Sequence, residues 1–224
     1  MCKNIWKGTG LNMKFERGRL LLYAVTDRSF TQVETLYEQI EGALAGGVTM
    51  VQLREKYLDS EEFVNEAIEI KALCHRYHVP LIINDNIEVA LQSGADGVHV
   101  GIEDTPVAEI RKMAGEDFII GATAKTVEQA QAAQAAGADY LGVGAVFPSP
   151  TKKNAVRITT RQLREICMSV SIPAVAIGGI CLDNIDSLQG GGMAGVAVVS
   201  GIFGAKNIKA AAINLKNKAE ALCV

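Results

Sequence analysis

The chain is predicted to fold as a single (β/α)8 TIM barrel, α/β in class. Three observations predict it. Eight short runs rich in Val, Ile and Leu alternate with eight stretches rich in Ala, Glu, Gln and Lys. The runs are nearly continuous in apolar residues, as strands of a parallel sheet covered on both faces must be. One joint also recurs between helix and strand, as Ala43…Gly47-Val48, Ser93-Gly94-Ala95-Asp96-Gly97-Val98 and Ala136-Gly137-Ala138-Asp139-Tyr140. An open doubly wound sheet is the alternative, but eight such units in 224 residues favour closure.

The elements follow in order. Residues 1–18 combine Lys3, Lys7, Lys14 and Arg17 with three glycines and no apolar stretch. They predict a loose N-terminal tail and no signal peptide, with Met13 available as an internal start. The barrel domain is expected over 19–224 with no linker inside it. Strands are predicted at 20–26, 49–54, 81–84, 97–100, 118–122, 140–146, 174–177 and 195–200. Helices are predicted at about 33–45, 60–77, 86–92, 105–114, 126–136, 160–169, 182–189 and 204–221. In the second helix Phe63, Ala67, Ile70 and Leu73-Cys74 fall on one side. Ser60 ahead of Glu61-Glu62 suits its N-cap, with acids in the first turn. Gly46-Gly47, Gly94, Gly115 and Gly137 mark helix ends.

Composition narrows the function classes. A hydrophobic fraction of 49% with 21% charged residues suits a globular core. A net charge of −3 and only 5% aromatic residues argue against a nucleic-acid face or attraction to an anionic membrane. No run of about 18 apolar residues suggests a membrane span. Five scattered cysteines (Cys2, Cys74, Cys167, Cys181, Cys223), with no Cys-x-x-Cys pair, predict a reduced, cytoplasmic chain. The partners expected are small molecules, with neither nucleic acid nor membrane, and a homo-oligomer is left open.

Barrels of this kind work at the C-terminal ends of their strands. The second strand ends in Gln52-Leu53-Arg54-Glu55-Lys56. Side chains alternate faces at about 3.3 Å per residue, so Gln52, Arg54 and Lys56 share one face while Val51 and Leu53 share the other. One amide and two cations spread over about 13 Å suit an anion larger than a single phosphate. Asn84-Asp85 ends the third strand, and His99 followed by Glu103-Asp104 ends the fourth. Asp85 and Asp104 are placed to share Mg²⁺, which takes a few carboxylates together with substrate phosphates and water. Asp104, ahead of Thr105-Pro106, equally suits a helix cap.

Gly178-Gly179 and Ser200-Gly201, after the seventh and eighth strands, suit a second phosphate held by backbone N–H groups, or else a pair of tight turns. The segment 147–159, with Ser149, Thr151, Lys152 and Lys153, is long for a βα loop and is expected to act as a lid. Gly190-x-Gly192-x-x-Gly195 spells a dinucleotide fingerprint, but it precedes a strand and is rejected. His75 and His78 are expected to be solvated or capping rather than metal-bound, and His99 to be a core histidine.

Together these motifs make the chain similar to the thiamine phosphate synthase (thiamine-phosphate pyrophosphorylase) family. The resemblance runs from Tyr23-Ala24-Val25-Thr26-Asp27 to Val198-Val199-Ser200-Gly201-Ile202. It rests on the Gln52–Lys56 pentad, Ile83-Asn84-Asp85, Gly97-Val98-His99-Val100-Gly101-Ile102-Glu103-Asp104, Val146-Phe147-Pro148-Ser149-Pro150-Thr151-Lys152 and Ala176-Ile177-Gly178-Gly179-Ile180. It implies a Mg²⁺-dependent transferase that joins 4-amino-2-methyl-5-hydroxymethylpyrimidine diphosphate to thiazole phosphate by a dissociative displacement. Thiamine monophosphate and pyrophosphate would be the products.

By matching position, the resemblance implies that Gln52, Arg54, Glu55, Lys56, Asn84, Thr123 and Lys152 hold the pyrimidine diphosphate. Asp85 and Asp104 would bind the metal. Ser149, Pro150, Thr151, Gly179, Val199 and Ser200 would bind the thiazole phosphate, and Arg54, Lys56 and Lys152 would serve catalysis. The chain departs from the family pattern in Gly121-Ala122-Thr123-Ala124-Lys125-Thr126, where Ser and His are usual in place of Thr123 and Lys125. Ile102 stands where Gln is common, and Ser149 replaces Thr. A thiazole tautomerase-like barrel, a non-catalytic regulatory barrel and a sugar-phosphate isomerase or aldolase barrel are the rival readings. A tautomerase would need neither the cationic track nor the carboxylate pair.

Overall fold

The computed structural model describes residues 15–31, 33–149 and 156–223. Eight parallel strands close a barrel in chain order: β1 (Leu22–Val25), β2 (Met50–Leu53), β3 (Leu81–Asn84), β4 (Gly97–Val100), β5 (Ile119–Ala124), β6 (Tyr140–Gly144), β7 (Ala174–Ile177) and β8 (Gly195–Val198). The ring closes where β1 pairs with β8, with Tyr23 opposite Ala197.

Strand parity sorts the side chains. Tyr23, Val25, Met50, Ile82, Ile119 and Tyr140 fill the barrel interior. Their neighbours Leu22, Ala24, Val51, Leu53, Leu81 and Ile83 pack outward under the helices. Gln52 follows Met50 by two, so it points inward and is buried. Ahead of β1, residues Arg17–Leu20 form a 3-10 turn that buries Leu20, and Phe15 stacks on Tyr140 with ring centroids 5.8 Å apart.

The recurring joint has a structural cause. Thr49, Asp96 and Asp139 each stand just ahead of an even-numbered strand. The backbone N–H of each donates to the carbonyl of Leu22, Leu81 or Ile120 on the preceding strand, at 2.9, 2.9 and 2.8 Å. Each side-chain oxygen then accepts the N–H of that same residue, at 2.9, 2.8 and 2.7 Å. Helix side chains back up the two aspartates. His75 sits 2.9 Å from Asp96, and Arg111 donates to Asp139 at 2.8 Å. His75 thus anchors the foot of a strand instead of being solvated.

The helices are α1 (Leu36–Ala45), α2 (Ser60–Arg76), α3 (Ile87–Ser93), α4 (Val107–Ala114), α5 (Val127–Ala135), α6 (Thr160–Met168), α7 (Ser200–Phe203) and α8 (Ile208–Leu222). In α2 the buried residues are Phe63, Ala67, Ile70, Leu73 and Cys74, as the periodicity predicts. Its N-cap is Asp59 rather than Ser60, because Asp59 and Glu62 form a reciprocal capping box. The helix expected at 182–189 shortens to a 3-10 turn at Ile185–Leu188. Side chains there compete for the backbone: Asn184 accepts from the Cys181 N–H and donates to the Gly179 carbonyl. The expected last helix, 204–221, is α8, and a short α7 that the sequence did not predict precedes it directly after β8.

Candidate active site

The polar groups expected at the strand ends gather at the C-terminal mouth of the barrel. Past β2, the pentad climbs from interior to solvent: Gln52 is buried, Arg54 half-buried and Lys56 exposed. Two contacts to the β1 loop fix Arg54. Its backbone N–H donates to Thr26 Oγ1 at 2.9 Å, and its guanidinium reaches Asp27 Oδ2 at 3.4 Å. Glu55 has the opposite parity and turns away from that face. Its buried carboxylate accepts from Arg28 Nε at 2.9 Å, and the other arm of Arg28 reaches Glu66 on α2 at 2.5 Å. Burial raises the Glu66 carboxyl above its ordinary range, with Arg28 opposing and Glu55 adding to the rise.

Asn84 ends β3, and Asp85 takes a left-handed backbone conformation with φ of 62°. A non-glycine residue there is uncommon and tends to mark a functional turn. The Asp85 N–H is held by the His99 carbonyl at 2.8 Å. Asp104 accepts the Gly101 N–H at 2.6 Å, so its carboxylate folds back over the end of β4 instead of capping α4. The two carboxylates stand together. Burial, and then the Asp104 carboxylate, push the Asp85 carboxyl up to about 6, while Asn84 and Arg54 hold it down. No group of three or more His, Cys, Asp or Glu side chains suited to a metal occurs among the described residues.

On the other rim, the loop after β6 is tied to the end of β7. Val146 and Phe147 donate to the carbonyls of Ile177 and Gly178, both at 3.0 Å. Gly178 and Gly179 have φ of 104° and 65°, and a Cβ on Gly179 would come within 2.1 Å of the Pro148 carbonyl oxygen. These glycines therefore admit the neighbouring loop, a need the sequence does not show. Ser149 lies in that loop, half-buried. Val199 and Ser200 open α7 beside the segment that follows β7: a Cβ on Gly201 would lie 2.8 Å from the Ile180 carbonyl oxygen. Pro150, Thr151, Lys152 and Lys153 lie outside the described residues.

A family profile described as thiamine monophosphate synthase matches residues 22–202, which take in both rims of this mouth. The chain belongs to that family. Among the family's curated proteins it is similar to the thiamine-phosphate synthase of Ruminiclostridium cellulolyticum, 50% identical over 87% of this chain and 92% of that one. It is also similar to the enzyme of the same name from Methanobrevibacter smithii, 48% identical over 88% and 93%. Among solved structures, thiamine phosphate pyrophosphorylase from Pyrococcus furiosus superposes with a TM-score of 0.86 at 36% identity, over 93% of this chain and 99% of that one. A 3-hexulose-6-phosphate synthase superposes at 0.64 with 18% identity over 89% and 99%, a likeness of fold alone.

The family motifs do not single out the polar line beneath the mouth. Gln52 Nε2 donates to Tyr23 Oη at 2.7 Å, and Tyr23 Oη lies 2.8 Å from Tyr140 Oη. Tyr140 Oη is 3.2 Å from His99 Nδ1, and His99 Nε2 is 3.1 Å from Thr123 Oγ1. Glycine makes the room: a Cβ on Gly121 would lie 2.2 Å from the Tyr140 ring, and one on Gly142 2.9 Å from His99. Burial raises both tyrosine hydroxyls well above their ordinary range and pulls His99 down to about 4. Tyr23 and Tyr140 read in sequence as ordinary strand residues, and only barrel closure brings them together.

Proposed function

We propose that this family member condenses 4-amino-2-methyl-5-hydroxymethylpyrimidine diphosphate with thiazole phosphate, giving thiamine monophosphate and pyrophosphate. The chain is an enzyme, a transferase of the thiamine phosphate synthase kind. One observation carries the reading of the site: a cationic track and a close pair of carboxylates converge at one barrel mouth, across from a separate glycine-lined rim. That combination suits two phosphorylated substrates, one of which must lose a diphosphate.

In this reading Gln52, Arg54, Lys56, Asn84 and Thr123 hold the pyrimidine diphosphate. Glu55 supports the track from behind through Arg28 and keeps its own carboxylate off the anion. Ser149, Gly179, Val199 and Ser200 hold the thiazole phosphate. Pro150 and Thr151 are assigned to the thiazole phosphate, and Lys152 to the diphosphate, by position in the sequence. Asp85 and Asp104 fit Mg²⁺, because the Asp104 carboxylate raises the cost of charge on Asp85 and Mg²⁺ is satisfied by one or two carboxylates plus phosphates. When bound, it would neutralise the diphosphate and make it a better leaving group.

The protein's own contribution is charge and position. As the bond from the pyrimidine methylene to the diphosphate oxygen breaks, that oxygen takes the electron pair, and Arg54 and Lys56 meet the growing negative charge. The thiazole nitrogen, aimed from the opposite rim, gives its lone pair to the electron-poor methylene carbon. Four cysteines among the described residues are free thiols, which suits the cytoplasmic setting proposed for the chain. No described helix is long and apolar enough to cross a membrane. Incubating both phosphorylated substrates with and without Mg²⁺ should yield thiamine phosphate and pyrophosphate in its presence. No product at any metal concentration would overturn the proposal.

A further inference from the structure

The five side chains beneath the mouth form one unbroken hydrogen-bonded line from β2 to β5, passing through β1, β6 and β4. Tyr23, Tyr140, Gln52 and His99 are all buried, so the hydroxyl and imidazole hydrogens need their acceptors within the line. A hydroxyl has one hydrogen to give, and a neutral imidazole accepts at one nitrogen while it donates at the other. A mixed arrangement would orphan a buried hydrogen or set two oxygens face to face with none between them, so the line runs wholly one way or wholly the other.

With Gln52 donating, the Tyr23 hydrogen goes to Tyr140 and the Tyr140 hydrogen to His99 Nδ1. His99 Nε2 then carries the ring hydrogen and gives it to Thr123, whose own hydroxyl hydrogen remains for the mouth. Gln52 keeps Oε1, which has no hydrogen-bond donor among the described residues, and its second Nε2 hydrogen. Burial favours the neutral imidazole that such a line requires.

We infer that this line sets the hydrogen-bonding polarity of two opposite walls of the site, with Gln52 presenting an acceptor and Thr123 a donor, and so selects an amino-substituted pyrimidine over its oxo counterpart. Tyr23, Tyr140 and His99 are then positioning residues for substrate recognition. The inference rests on the proposed placement of the pyrimidine between Gln52 and Thr123. An aminopyrimidine offers N–H donors at its amine and a bare ring nitrogen across the ring from the carbon bearing that amine. These face opposite walls and match an acceptor on one and a donor on the other. The oxo form puts a carbonyl where the amine was, so it meets Gln52 Oε1 acceptor to acceptor unless all five groups reverse.

Two measurements test this. Nitrogen NMR of the ring-labelled chain, which holds three histidines, should show His99 protonated at Nε2 and bare at Nδ1. The opposite tautomer would overturn the assigned direction. Equilibrium binding of the aminopyrimidine diphosphate and of its 4-oxo counterpart, without thiazole phosphate, should favour the amino form by about 100-fold. Tyr140→Phe should cut that preference about tenfold while the KM for thiazole phosphate holds. Tyr23→Phe should do the same and serves if Tyr140→Phe does not fold. His99→Gln, whose amide can still donate to Thr123, should keep preference that His99→Leu loses. An unchanged amino-to-oxo ratio in folded Tyr140→Phe sinks the inference. A change in the thiazole phosphate KM alone shows instead that the pyrimidine is misplaced, and the inference falls with that placement.

Discussion

Arg54 shows how a charge at the barrel mouth is held in place. It leaves β2 on the inward face, its backbone is pinned by Thr26, and Asp27 holds the guanidinium at 3.4 Å without enclosing it. A guanidinium presents a planar fork matched to phosphate oxygens, which an ammonium does not. Arg54→Ala should therefore lower kcat about 100-fold, the usual loss for one preorganised electrostatic donor. Arg54→Lys should fall between the two. Steady-state kinetics on both substrates provide the check, and near-normal turnover in Arg54→Ala would remove Arg54 from the catalytic set. Its place on the mouth was legible in the sequence because parity alone puts Gln52 and Arg54 on one face. The Glu55 partner was not legible, because Arg28 and Glu66 come from other elements that meet only in the fold.

At the scale of elements, the strands were legible to within about two residues at each end, since apolar runs between helix-ending glycines leave little freedom. The helix expected at 182–189 was not. Asn184 draws the backbone of Cys181 and Gly179 into its own hydrogen bonds, and propensity summed over a window does not register that competition. The joints ahead of β2, β4 and β6 were visible as repeated letters, while their purpose came from the pairing. Asp96 is the most buried of the three staples and holds both the Leu81 N–H and His75. Asp96→Ala leaves that N–H without its side-chain acceptor and should cost about 3 kcal/mol. Asp96→Asn, which keeps an oxygen, should cost less. Urea denaturation midpoints measure both, and equal losses would mean that the hydrogen bond to Leu81 is not what the carboxylate contributes.

For the whole molecule, the buried line ties stability to pH. The pKa of His99 is lowered on folding, from 6.5 to about 4, so the unfolded chain takes up the proton first as pH falls. Stability from this group is complete above about pH 6.5 and is lost as pH falls toward 4. Asp85 acts in the opposite sense, because its raised pKa lets the folded chain take a proton below about 6. Comparison with a variant isolates the histidine. Between pH 7 and pH 5 the wild type should lose about 2 kcal/mol more than His99→Gln does. Equal losses in the two proteins would show that His99 is not held neutral. The line itself escaped the sequence because its two tyrosines stand 117 residues apart.

The staples leave one seam different from the others. Thr49, Asp96 and Asp139 each lend a side-chain oxygen to the foot of the preceding strand. Ala194 occupies the matching place ahead of β8: its N–H reaches the Ala174 carbonyl at 2.7 Å, and it has no oxygen to return. The barrel is thus laced at three of its four odd-to-even joins. Under native conditions the amide of Ala174 should exchange with deuterium sooner than those of Leu22, Leu81 and Ile120. The join that loosens first would be the one whose far end carries the glycines and Ser200 of the second rim.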